Sequence, residues 1–100
     1  MVKLVAIFKK PADTSAFEDH YRNVHLGLVR KMPGLKRLEL STVTGAPVST
    51  PQYYRMAEMY FDDQTSLTKA IMSREGMAAA KDLMGFAKDV VQMFYAEISE

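Results

Sequence analysis

The sequence predicts an α+β fold with the element order βαββαβ, and three observations lead there. Short apolar runs rich in β-branched residues stand near both ends of the chain, at residues 2–8 and 90–98. Two more strand-like runs occupy residues 35–43 and 53–61. The stretches that follow the first and third of these runs carry apolar side chains at helical spacing.

In chain order, residues 2–8 form the first strand; Pro11 closes it, and Asp13-Thr14 offers a helix N-cap. Over residues 15–32, Phe17, Tyr21, Val24, Leu28 and Met32 recur at spacings of four, three, four and four, one face of a single α-helix. Pro33-Gly34 ends it, because Pro cannot continue the hydrogen-bond ladder and Gly accepts the left-handed cap. In residues 35–43, Leu38 and Leu40 alternate with Arg37, Glu39 and Ser41, which is strand periodicity. Residues 44–51 are dense in turn formers and read as a loop. After the third strand, Asp62-Asp63 caps a second helical region that runs to about Phe86. Ser73-Arg74-Glu75-Gly76 interrupts that region, since Ser can cap a new helix and Gly weakens the old one, so two shorter helices meet near Ser73. One four-stranded antiparallel sheet with the helices on one face satisfies this order, a ferredoxin-like arrangement within one domain spanning residues 1–100.

Composition narrows the function classes. With 48% hydrophobic and 25% charged residues the chain builds a globular core, and a formal charge of +1 supplies no field for a nucleic-acid backbone or an anionic membrane. The absence of cysteine excludes disulfides, thiolate metal sites and a Cys nucleophile, and two histidines form no imidazole-rich cluster, so we expect neither metal nor cofactor. No run approaches the ~18 apolar residues of a membrane span, and the N-terminal apolar run is too short for a signal peptide. A soluble cytoplasmic protein is the expectation. The same fold serves RNA-recognition modules, but Tyr53-Tyr54-Arg55-Met56-Ala57-Glu58-Met59-Tyr60-Phe61 has no glycine and sets an acid among the rings, which argues against base stacking.

Both faces of the strands carry apolar groups. In the third strand Tyr53, Ala57, Met59 and Phe61 oppose Tyr54, Met56 and Tyr60; in the last, Val90, Phe94 and Ile98 oppose Val91, Met93 and Tyr95. Helices cover only one face, so a second copy should cover the other, giving a homodimer packed sheet to sheet.

Few residues can carry chemistry. His25 lies about 60° from the centre of the buried helix face, a border position from which an imidazole reaches a cavity as a general acid or base near neutral pH. The structural alternative is a boundary His within the helix packing. His20 lies roughly 140° from His25 on an α-helical wheel, so the two cannot share one metal, and His20 reads as structural. Glu58 alternates with Met56 and Tyr60; among such side chains its carboxylate is a candidate base, a partner for His25, or one end of an interface ion pair with Arg37. Tyr21, Tyr54 and Tyr60 can orient a substrate oxygen or fill the core, and Met56 belongs to a set of eight methionines that make adaptable apolar walls. Asp82 reads as a solvated or capping acid.

The segment Phe17-Glu18-Asp19-His20-Tyr21-Arg22-Asn23-Val24-His25-Leu26-Gly27-Leu28, with Met32-Pro33-Gly34-Leu35 after it, resembles the signature of the EthD-like family of dimeric α+β barrel proteins. Further resemblance lies in Ala57-Glu58-Met59-Tyr60-Phe61-Asp62, Ser73-Arg74-Glu75-Gly76 and Asp82-Leu83-Met84-Gly85-Phe86. Gly27 stands where the family usually has Pro. The resemblance implies a homodimer with a cavity in each subunit for a small hydrophobic organic molecule. It further implies a small cofactor-independent enzyme, such as a monooxygenase or isomerase, or an accessory protein. Set beside the reading of the residues, the expectation is that His25 and Glu58 are catalytic and that Tyr21, Tyr54, Met56 and Tyr60 contact substrate. A non-catalytic small-molecule-binding protein is the alternative, and a haem-degrading monooxygenase the third.

Overall fold

In a computed structural model that describes residues 1–99, the order is β1 (Val2–Lys9), α1 (Thr14–His20), a π-helical turn (Tyr21–His25), α2 (Leu26–Arg30), β2 (Arg37–Thr42), β3 (Tyr53–Phe61), α3 (Gln64–Met72), α4 (Arg74–Phe86) and β4 (Val91–Glu97). The strands form one antiparallel sheet in the order β2-β3-β1-β4, the expected α+β, ferredoxin-like arrangement.

Alternation along β1 sends Val2, Leu4, Ala6 and Phe8 into the core under the helices and Lys3, Val5 and Ile7 to the opposite, open face. In β3 the core-facing set is Ala57, Met59 and Phe61, while Met56, Glu58 and Tyr60 point away. The register shifts between Phe8 and Lys9, which pair with Arg55 and Tyr53, and this bulge frees Tyr54 from the alternation. Tyr54 therefore does not share the Met56 and Tyr60 face as its sequence position suggested; its ring lies 6.0 Å from that of Phe17 under the helices.

The expected caps are present. Asp13 accepts from the Ala16 N–H at 3.0 Å and Asp63 from the Ser66 N–H at 2.8 Å. Ser73 ends α3 and starts α4, accepting from the Gly76 N–H at 3.0 Å. Gly34, at φ +79°, turns the chain after α2 in the left-handed region that glycine tolerates.

The first helix departs from the single α-helix expected. After His20 the chain widens into a π-turn, and the Leu26 N–H bonds to the Tyr21 carbonyl five residues back. The extra residue rotates the buried face. Val24, expected inside, is 44% exposed, while His25, expected at the border, is buried with Leu26 and Val29.

The open face is less uniformly apolar than expected. Val5, Ile7, Met56 and Phe94 share it with a charged string in which Lys3 Nζ donates to Glu58 at 2.7 Å and Tyr60 Oη donates to Glu39 at 2.7 Å, with Arg37 4.3 Å above the Tyr60 ring. No helix among the described residues is long and apolar enough to cross a membrane.

Candidate functional site

The π-turn assembles the site. In an i→i+5 turn, side chains five apart come onto one face, so His20 and His25 meet where an α-helix would hold them apart. Both reach one carboxylate on α4. His25 Nδ1–H donates to Asp82 Oδ2 at 3.0 Å, and His20 Nε2–H donates to Asp82 Oδ1 at 2.8 Å. Phe86, one turn further along α4, lies against both imidazoles, with ring centroids 4.6 Å from His20 and 5.0 Å from His25. The three polar side chains run from interior to surface, 7% exposed at His25, 18% at Asp82 and 36% at His20.

This geometry sets the chemistry of His25. Bonding through Nδ1 fixes the tautomer and leaves Nε2 unprotonated in the neutral ring. Burial pushes the His25 pKa below its ordinary 6.5, against the opposing hydrogen bond and charge of Asp82, and the neighbouring His20 pushes it down further. At neutral pH the ring is an uncharged base with a carboxylate behind it to stabilise the imidazolium once a proton arrives.

His25 opens on a cavity of about 90 Å³ between the helices and the sheet. Ala6, Ala57 and Ala79 leave the space, and Leu4, Met59 and Leu83 help wall it. Only two of the lining residues, His25 and Tyr21, carry side-chain nitrogen or oxygen. Tyr21 is packed edge-on to Phe8 at 5.6 Å and stacked on Phe17 at 5.5 Å, and its hydroxyl is buried with no hydrogen-bond partner among the described residues. Among the described residues, no Lys or Arg lines the cavity. Arg55, 5.0 Å from the Tyr21 ring, is engaged by Glu18 through both Nε, at 2.7 Å, and Nη2. That guanidinium holds the Glu18 carboxyl well down, at about 2.

Of the residues singled out from sequence, the structure brings together His25 and Tyr21. Glu58 is elsewhere: it lies on the open sheet face, bonded to Lys3 and 3.5 Å from Tyr60 Oη, with the sheet between it and His25. Met56 and Tyr60 share that face, and Tyr54 packs on Phe17 outside the cavity lining. The carboxylate beside His25 is Asp82, which sequence had assigned to solvent, and His20 is its second holder. A wheel drawn at 3.6 residues per turn hides both facts. Among the described residues, no three His, Asp or Glu side chains are grouped as metal ligands.

Residues 9–89 match the EthD domain, and the chain belongs to that family. It is 31% identical over 97 residues to an uncharacterised 11.0 kDa protein from the thcB-thcC intergenic region of Rhodococcus erythropolis, covering 97% of this chain and 94% of that one. The crystal structure of an EthD-family protein from Bacillus halodurans superposes with a TM-score of 0.95 at 40% identity, over 99% of each chain. In fold alone the chain resembles SnoaB, a cofactor-independent oxygenase from Streptomyces nogalater, with a TM-score of 0.69 at 14% identity over 99% of this chain and 93% of that one. Two further ferredoxin-like structures, at 18% and 14% identity, are described as dimeric.

Proposed function

We propose that this EthD-family protein is a cofactor-independent enzyme in which His25, held by Asp82, moves a proton on a small apolar molecule enclosed between the helices and the sheet. The observation that carries the proposal is the 3.0 Å bond from His25 Nδ1 to Asp82, which leaves Nε2 unprotonated in a buried, neutral imidazole on a residue that lines an apolar cavity. Isomerisation needs only this base and the return of its proton; oxygenation begins with the same abstraction. SnoaB, a cofactor-independent oxygenase of the same fold, supports the class. A porphyrin does not fit a cavity of about 90 Å³, so haem breakdown is the weakest of the three expectations.

The almost wholly apolar lining favours a second reading, a protein that holds a ligand without transforming it. One experiment separates the two. The molecule that co-purifies from the native host is identified by mass spectrometry and returned to the protein in deuterated water. The enzyme reading predicts that the wild type exchanges a ligand hydrogen for deuterium. His25→Gln, which keeps a donor for Asp82 but loses the base, should retain affinity and lose about 10²–10⁴ of the exchange rate. Tight binding with no exchange by either protein selects the binding reading.

A homodimer accompanies this reading. In the single chain, edge strand β4 leaves Met93, Phe94 and Tyr95 at 41%, 46% and 55% exposure, apolar on both its faces. A second copy covering the open sheet face removes Phe94 from water.

A further inference from the structure

We infer that His20 is a positioning residue: its Nε2–H bond to Asp82 fixes the turn of that carboxylate, and through it decides which nitrogen of His25 carries the proton. The inference rests on the reading of His25 as the base and adds a residue to it. Among the described residues, the side chains that bond Asp82 are the two imidazoles, His20 on Oδ1 at 2.8 Å and His25 on Oδ2 at 3.0 Å, and no Lys or Arg pairs with it. An aspartate carboxyl turns broadly about its last torsion, and this one, 18% exposed, is also open to water. A single bond to His25 would leave it free to swing. The second bond occupies Oδ1 and keeps Oδ2 on Nδ1.

The backbone supports this role. An α-helix would set residues 20 and 25 about 140° apart, and the π-turn over Tyr21–His25 brings both imidazoles to α4 instead. Such turns are rare and frequently mark functional sites. Here the turn delivers a second imidazole to a carboxylate that the first already reaches. Packing alone does not call for a histidine at position 20: the ring lies 4.6 Å from Phe86 with its side chain 36% exposed, and an apolar ring would cover Phe86 as well. What an apolar ring lacks is the donor. The consequence is chemical. With Asp82 held on Nδ1, the neutral His25 ring keeps its proton there and Nε2 stays bare. With the carboxylate turned away, the ring is free to carry that proton on Nε2, and Nε2–H is not a base. When Nε2 takes up a proton, the imidazolium keeps both its hydrogens, the Nδ1–H bond to Asp82 becomes a bond between opposite charges, and no proton has to pass to Asp82 or His20.

The test reads the His25 tautomer at neutral pH in protein labelled with nitrogen-15, from two-bond proton–nitrogen correlations of the imidazoles. His20→Phe keeps a ring against Phe86 and removes the donor, and His20→Gln returns a side-chain N–H at about the reach of Nε2. The ratio of the Nδ1–H to the Nε2–H form of His25 should fall about fivefold in His20→Phe, the size of a coupling between neighbours in one hydrogen-bond network, and recover in His20→Gln. His20→Ala gives the same reading should the phenylalanine variant not fold. A ratio unchanged by loss of the donor would overturn the positioning role and leave the reading of His25 and Asp82 intact. A ratio that falls equally in His20→Gln would overturn the role as well, since the ring and not the donor would then be what counts. A wild-type His25 with its proton on Nε2 would overturn both readings together.

Discussion

Two titrating side chains make the stability of this protein depend on pH in opposite parts of the acid range. His25 has a folded pKa below 6.5, so on acidification the unfolded chain takes up its proton first. Stability from this group is full above about pH 6.5 and is lost as pH falls from there towards the folded value. Thermal melting should therefore be flat between about pH 7 and 8 and decline below about 6.5, and His25→Gln should flatten that decline. Glu18, held at about 2 by Arg55, adds a second loss from its ordinary 4.5 downward, which Glu18→Gln should remove. The same residues show how far sequence reasoning reaches. That the imidazole at position 25 lies close to the interior was legible from its place near the buried helix face. The carboxylate beside it was not, because Glu58 and Asp82 are both remote from His25 along the chain, and only the assembled sheet, which lies between Glu58 and His25, tells them apart.

At the scale of elements, the π-turn decides the site. The apolar spacing of Phe17, Tyr21, Val24 and Leu28 fits an unbroken α-helix, and nothing in residue type marks the widened turn, so Val24 was expected inside and came out exposed. The caps at Asp13, Asp63 and Ser73 were legible because each satisfies a local donor within three residues. Gly76 was legible as a break for an incomplete reason. A Cβ built there would stand 2.0 Å from the Ala70 carbonyl oxygen and 2.8 Å from Ile71 Cα, so the junction of α3 and α4 needs glycine for closeness rather than for flexibility. Both neighbours are backbone and cannot swing aside. Gly76→Ala should cost about 3 kcal/mol or more in chemical denaturation, well beyond the roughly 1 kcal/mol typical of a point substitution. Gly27→Ala, with nothing within 4 Å of the added carbon and ordinary helical backbone around it, should stabilise α2 by up to about 1 kcal/mol. Equal effects of the two substitutions would contradict this account of Gly76.

At the scale of the whole molecule, the order of elements and the antiparallel sheet were legible because each strand's apolar run is bounded by its own turn residues, and a βαββαβ chain has few ways to close one sheet. Part of the open face is occupied by the Lys3, Glu58, Tyr60 and Glu39 string, so the apolar pressure to associate concentrates on β4 and on the half-buried Ile7 and Met56 beside it. Light scattering at micromolar concentration should give about twice 11.3 kDa, and Phe94→Asp, at a position 46% exposed in the single chain, should give a folded monomer. A wild-type monomer would remove the interface.

A neutral His25, held by Asp82 on a residue lining the cavity, carries the proposed chemistry, and nitrogen-15 NMR titration of the two imidazoles reads that state without a substrate. In the wild type His25 should show a protonated Nδ1 and a bare Nε2 at neutral pH, titrate below 6.5, and shift lower still in Asp82→Asn, while Glu58→Gln leaves it unmoved. A His25 that titrates at or above 6.5, or that responds to Glu58→Gln and ignores Asp82→Asn, would contradict it.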